Sequence, residues 1–220
     1  MNRSITGRIS IGTLAAMVVV VAALAAQERD YAPTCKMCPA DYIPNTEIQA
    51  YVKRAIANQL VDQQVRQADI GKANVAVGVV HRTKMNNPDA PVAEHDLVSE
   101  VYHVISGSAT FVLGPDLVGM VRRPAMDNTV RLLNGPGNNA KSIRNPTIVQ
   151  LQAGDAVIIP AGTGHQFTRI DDHITYLMIR IDPDKVTPHK TAADSKADLL
   201  TDGRTTSGGG AGSINPARKQ

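Results

Sequence analysis

Apolar and polar residues alternate with a period of two through the middle of the chain, and short turn signals interrupt them. The segments "QVRQADI" and "NVAVGVVHR" flank Gly71 and Lys72, a pattern typical of a hairpin. Further segments of this kind are "LVSEVYHVISG", "SATFVLGP", "TIVQLQAGD", "AVIIPAG", "HQFTRI" and "HITYLMIRI". About eight short strands with no helical pattern between them predict an all-β sandwich or barrel.

The segments before this region have a different composition. Residues 1–25 combine a basic start, an apolar stretch and a small-x-small exit, which predicts a cleaved signal peptide and an exported protein without a stable membrane anchor. Residues 26–45 are loop-like. Residues 46–72 are predicted to form an N-terminal helix and the first strand. The apolar face of this helix is predicted to comprise Ile48, Val52, Ile56 and Leu60.

The barrel is predicted over residues 73–183. Its long, Gly/Asn-rich insertion, residues 119–146, is either flexible or part of a binding mouth. Residues 184–220 contain few large apolar side chains and end in a Gly/Ser-rich run, which predicts a disordered tail.

Charge and cysteine content narrow the range of partners. The net charge of +3 includes Arg3 and Arg8 of the predicted signal peptide, and without them 21 basic side chains face 20 acidic ones. We therefore expect no nucleic-acid partner. Cys35 and Cys38 are predicted to form a local disulfide or to remain free thiols, and a thiol-redox function is the alternative.

Two segments carry the spacing of a known pair of motifs. In "EHDLVSEVYHVISG", His95 precedes Glu100 by five residues, and Gly107 follows seven residues later. In "GDAVIIPAGTGHQF", Gly154 is followed by Pro160, Gly162 and His165. Together they resemble the two signature motifs of the cupin superfamily, the small jelly-roll barrels. The resemblance implies a secreted bacterial single-domain cupin, all-β, with a double-stranded β-helix of the conserved-barrel type and an N-terminal α-helix.

The resemblance also implies a metal site. It assigns the ligands to His95, Glu100 and His165, whereas the position of the family's first histidine holds Ala93. Two imidazoles and a carboxylate suit a divalent Fe, Mn, Ni or Zn ion. His81 shares a strand face with apolar valines and is a candidate for the missing ligand. The alternative is a site that has lost its metal.

Two further residues have candidate roles. Tyr102 follows Glu100 by two residues and resembles the base of cupin lyases that act on dimethylsulfoniopropionate, although a tyrosine here equally fills the barrel. Arg169 is in phase with His165 and is predicted to bind an anionic substrate, with a surface salt bridge as the alternative.

These residues support two functional hypotheses. The first is a periplasmic or secreted metal-dependent oxygenase, lyase or isomerase that binds a small polar or anionic molecule in the barrel. The second is a non-catalytic binding or structural cupin with a degenerate metal site. A homodimer is expected from the resemblance alone.

Overall fold

The computed structural model describes residues 32–209, and the fold belongs to the compact unit that begins at Thr34. The predicted signal peptide, residues 1–25, lies outside the described residues, as does the chain after residue 209. The described part contains no helix that combines the length and the hydropathy needed to cross a membrane. Cys35 and Cys38 are paired as a disulfide.

Helix α1 spans Asn45–Asn58. It buries Tyr51 and Ala55 against Val65 and Val79, which form a small core outside the barrel. Of the predicted apolar face, Ile48 and Val52 pack against this core and Leu60 is buried, whereas Ile56 is 57% exposed.

Within the described residues, nine strands form one antiparallel sheet that folds over on itself, and two short strands pair with each other. The strands are β1 (Asp62–Asp69), β2 (Asn74–Asn86), β3 (Val92–His95), β4 (Ser99–Gly114), β5 (Leu117–Val118), β6 (Val121–Arg122), β7 (Gly137–Ala140), β8 (Ser142–Ile143), β9 (Thr147–Gln152), β10 (Ala156–Ile159) and β11 (Gly164–Asp182).

Two long strands join the halves of the sheet. The first half of β4 pairs with β10 and its second half with β9, while β11 pairs with β3 near its start and with β2 along its second half. Both strands change register near Gly107, whose φ of +79° and close approach to the His173 carbonyl leave no room for a side chain. Segments predicted as four separate strands are therefore two bent strands.

The barrel interior contains a cluster of aromatic side chains from both long strands. The rings of Tyr102 and Tyr176 lie 4.4 Å apart, and those of Phe111 and Phe167 lie 4.5 Å apart. Since these residues come from both halves of β4 and β11, their packing holds the two halves of the folded sheet together.

The insertion at residues 119–146 is largely ordered. It contains β6, a π-helical turn at Thr129–Asn134, β7 and β8, and β7 pairs with β3. π-helical turns are frequent at functional sites. Residues of the insertion line a cavity of the barrel, and a role of the insertion in binding stays a prediction.

The prediction of a disordered tail at residues 184–220 is wrong for its described part. Helix α2 spans Ala192–Leu199 and begins with a capping box between Thr191 and Asp194. Beyond it, Gly208 forms a backbone bridge with Asp62 of β1. The composition misled the prediction because polar groups, not large apolar side chains, hold this segment to the barrel.

Asp198 is the centre of this polar attachment. One carboxylate oxygen lies 2.9 Å from Arg54 Nη2 and 2.6 Å from Lys190 Nζ, and it also accepts a hydrogen bond from the Tyr51 hydroxyl. Burial opposes ionisation of Asp198. The hydrogen bonds from Arg54, Lys190 and Thr206 nevertheless hold its pKa well below the ordinary value.

Asp198→Asn should lower the free energy of unfolding by about 3 kcal/mol at about pH 7, because it leaves Arg54 and Lys190 without their buried anion. A depressed carboxyl pKa stabilises the fold above the unfolded-state value and loses its effect as the pH falls. The difference between the proteins should therefore shrink at about pH 3, as measured by urea denaturation. The control is Asp202→Asn, whose ion pair with Arg204 is 59% exposed on both sides. Equal effects of the two substitutions at neutral pH would contradict this assignment.

Candidate metal centre

The three predicted ligands lie at the ends of strands on one side of the barrel. His95 ends β3, Glu100 is the second residue of β4, and His165 is the second residue of β11. The turn before His165 is fastened to the first motif, since the Gly162 N–H donates to the His95 carbonyl at 2.8 Å. Gly162 has a φ of +80°, a conformation that favours glycine and lets this turn return the chain towards the barrel.

The structure brings these three side chains together. One ligand atom from each of His95, Glu100 and His165 lies within 4.8 Å of the others, and all three residues are buried. The two oxygens of Glu100 face different histidines: His95 Nε2 is 3.4 Å from Oε1, and His165 Nε2 is 3.5 Å from Oε2. The spacing of the two motifs thus predicted a real cluster.

Glu100 is ionised although it has no exposed surface. Burial opposes the charge, but His95, His165 and Arg180 hold the pKa of its carboxyl well below the ordinary value. The Tyr102 hydroxyl donates to Oε2 at 2.9 Å. Oε1 accepts no hydrogen bond from any residue the structure describes. A buried carboxylate oxygen without a donor suits a cation.

His165 has the environment of a metal ligand. Its Nδ1 lies 3.2 Å from the Thr163 carbonyl, which can only accept, so Nδ1 carries the proton and the Nε2 lone pair faces the cluster. Burial lowers the pKa of His165 to about 4, so the ring is neutral at neutral pH.

His95 has two additional partners that the motifs do not include. Arg123 Nη1 lies 3.2 Å from its Nδ1, and Asn134 Nδ2 lies 2.9 Å from its Nε2. The Asn134 amide is oriented by Arg180, whose Nε donates to Asn134 Oδ1. Because a neutral imidazole has one acceptor nitrogen, only one of these two donors can form a hydrogen bond to His95.

The donor set fits a divalent cation, because two buried imidazoles and an ionised carboxylate with a free oxygen converge on one point. His165 and Glu100 already offer ligand atoms to such a cation. At His95, the Asn134 amide would have to withdraw from Nε2. Ala93, in the position of the family's first histidine, pairs directly with His165 across β3 and β11 and offers no ligand atom.

His81 is not part of this cluster, so it does not replace the missing ligand. It lies on the same strand face as Val79, as the alternation predicts, but that face packs against helix α1 outside the barrel. Its Nδ1 is 2.8 Å from Thr175 Oγ1, and its ring stacks on His173. Val80, not Val79, faces the barrel interior.

The expectation that Arg169 faces the barrel interior is wrong. The register of β11 against β4 shifts between Phe167 and Arg169, and this irregularity reverses the alternation so that Ile170 is buried instead. Arg169 Nε forms an exposed ion pair with Asp171 Oδ1 at 2.7 Å. The surface salt bridge named as the alternative is the arrangement that the structure has.

Beside the cluster lies a cavity of about 240 Å³. Tyr102, Ala93, His95 and His165 line it, so a molecule bound there would contact the candidate ligands directly. The remaining lining residues are Asp62, Arg82, Pro91, Arg123, Asp127, Thr129, Asn134, Asn139, Gln166, Phe167, Met178 and Gly209. Arg123 and Asn134 come from the insertion, whose lack of periodicity concealed them in the sequence.

The described residues form an all-β fold with an N-terminal helix, as the sequence predicts, and the two motif segments lie at one end of the barrel. Nothing in this architecture alone selects a reaction.

No protein-family model and no curated protein matches the chain. It is similar to the protein BH2720 from Bacillus halodurans at 16% identity, with a TM-score of 0.40 over 74% of this chain and 98% of that one. A cupin protein from Bacteroides fragilis is 18% identical, with a TM-score of 0.28 over 53% and 72%. The DMSP lyase DddQ from Ruegeria pomeroyi is 14% identical, with a TM-score of 0.34 over 84% and 94%. None of these likenesses bears on the activity, substrate or metal of this chain.

In the metal-free protein, the His165 ring should titrate near pH 4 instead of its ordinary 6.5, because burial penalises the imidazolium. Imidazole resonances followed by NMR against pH measure this directly. In Glu100→Gln the pKa should fall further, because the charge of Glu100 favours the protonated ring. A titration of His165 at the ordinary value in the wild type would contradict the buried geometry described above.

Proposed function

We propose that this protein binds a divalent metal ion through His95, Glu100 and His165 and acts on a small polar or anionic molecule in the adjoining cavity. The observation that carries the proposal is the convergence of three buried ligand atoms, with Glu100 Oε1 lacking any donor among the described residues. The proposal includes oxygenation, elimination and isomerisation as reaction types.

When bound, the metal would act as a Lewis acid and leave coordination positions open towards the cavity. Glu100 would supply the negative charge, and the Thr163 carbonyl would hold His165 in the ligating tautomer. The surrounding aromatic cluster would limit access of bulk water from within the barrel.

Tyr102 is the candidate proton-transfer group in this proposal. Its hydroxyl contacts Glu100, and the residue lines the cavity. Burial and then the charge of Glu100 raise its pKa well above the ordinary value, so the hydroxyl is protonated in the metal-free protein. In the metal-free protein it would therefore donate a hydrogen bond and keep its proton, and it would transfer a proton only where a cation offsets the charge of Glu100.

The second candidate function is a non-catalytic binding barrel with a degenerate metal site. Ala93 supports it, because the chain lacks one ligand of the family pattern. Arg123 and Asn134 support it as well, because both nitrogens of His95 already face side-chain donors. Export to the periplasm or beyond and a homodimer stay predictions.

Elemental analysis after exposure to Fe, Mn, Ni and Zn separates the two functions. The wild type should retain metal, whereas His95→Ala, Glu100→Ala and His165→Ala should each lose more than the roughly 10–100-fold in affinity that outer hydrogen-bond partners contribute. His103→Ala is the matched control, because His103 is exposed on the opposite face of the same strand as Glu100. If the wild type holds no more metal than the three variants, the metal-dependent function fails.

Ala93→His should tighten metal binding. Position 93 lies beside His165 across the strand pair and lines the cavity, so a histidine there would add a fourth ligand without displacing the other three. The measurement is the rate of metal loss to a chelator, which should be slower in Ala93→His than in the wild type. Ala90→His at a buried position outside the cavity lining controls for an added imidazole. No difference between Ala93→His and the wild type would contradict the ligand arrangement.

A further inference from the structure

Arg82 lies beside the candidate metal centre and has no anionic partner among the residues that the structure describes. It is in phase with the interior-facing Val80, and its guanidinium stacks 5.0 Å over the Phe167 ring. Its Nε approaches the Tyr176 hydroxyl at 3.4 Å. Within residues 32–209, its two terminal nitrogens form no hydrogen bond and no carboxylate lies within salt-bridge distance. The charged end of this side chain is therefore positioned by aromatic groups but not neutralised.

The other charges at this end of the barrel do not neutralise Arg82. Arg180 is paired with Asp62 and lies 3.8 Å from Glu100. Arg123 hydrogen-bonds only to neutral acceptors, among them the Glu94 and Asn138 carbonyls. The donors of Arg123 and Arg180 are thus engaged by other groups, and among the described residues neither Asp62 nor Glu100 lies within salt-bridge distance of Arg82.

The other acidic groups nearby are engaged elsewhere. Asp127 lines the cavity at an exposed position, and its carboxylate accepts from the Thr129 N–H at 2.7 Å. The buried Glu94 carboxylate, on the alternate face of β3, accepts from the Asn138 side chain at 2.7 Å. Arg82 is half-buried and lines the cavity, and a bound anion would give its terminal nitrogens a partner that the described residues do not supply.

We propose that Arg82 anchors the carboxylate of a small organic acid in this cavity. One guanidinium fork without hydrogen-bond partners among the described residues, whose Cζ lies 5.0 Å from the centre of the Phe167 ring, matches the two coplanar oxygens of a carboxylate. Phosphate would need further free donors, whereas those of Arg123 and Arg180 are engaged. A cavity of about 240 Å³ suits a small acid. This inference names the substrate class of the proposed function and shares its cavity, but it does not require the metal.

The test measures binding of acetate, malonate and succinate to the chelator-treated, metal-free protein by calorimetry. At least one of these acids should bind, and its affinity should fall on the order of tenfold or more in Arg82→Gln. Arg82→Lys keeps the charge without the fork and should bind with an intermediate affinity. Arg169→Gln is the matched control, because it removes an exposed arginine from an ion pair on the outside of the barrel. Thermal unfolding of each variant verifies that it is folded.

Several results would overturn the proposal. These are equal affinity in Arg82→Gln and the wild type, equal binding of the neutral amide of the best acid, tighter binding of inorganic phosphate, or no binding of any acid at millimolar concentration. Binding of an acid by a wild type that retains no metal would overturn the proposed metal-dependent function but support the role of Arg82. If the wild type retains metal but binds no acid, the role of Arg82 would be overturned and the proposed metal-dependent function would be supported.

Discussion

The buried charge of Glu100 is the constraint around which this end of the barrel is built. A carboxylate with no exposed surface is stable only where cations and donors surround it. Arg180 is the nearest permanent cation, and it also hydrogen-bonds to Asp62, Gln64 and Asn134. One guanidinium therefore joins β1, the insertion and β11 around a single acid. The aromatic cluster of the interior adjoins this acid, since the Tyr102 hydroxyl donates to Glu100.

The sequence predicted what depends on local pattern. The strands were predicted from the two-residue periodicity. The turn at Gly71 was predicted from its position between two such segments, and Gly71 has a φ of +98° in the structure. His95, Glu100 and His165 could be identified because their spacing follows two motifs that each fit one strand and one turn. Their convergence then followed from the barrel fold, in which both motif strands end at the same rim.

What the sequence could not predict depends on tertiary context. Strand alternation put His81 on a face with apolar valines, but which of two apolar faces lines the barrel is decided by helix α1. The register irregularity before Arg169 places the Arg169 side chain on the outside of the barrel, and no residue type in the sequence marks this irregularity. Arg123 and Asn134 come from a segment without periodicity, and helix α2 is held by buried polar contacts that composition does not reveal.

The C-terminal segment is attached to the barrel beside the cavity, so the cavity stays intact only while this segment stays attached. Gly208 pairs with Asp62, the residue that binds Arg180, and it has no room for a side chain beside Leu133. Gly209 reaches the cavity itself. A protease that cut between the barrel and Asp198 would therefore do more than shorten the chain, because it would release one wall of the pocket. Resistance of this segment to proteolysis and retention of bound molecules should consequently be lost together.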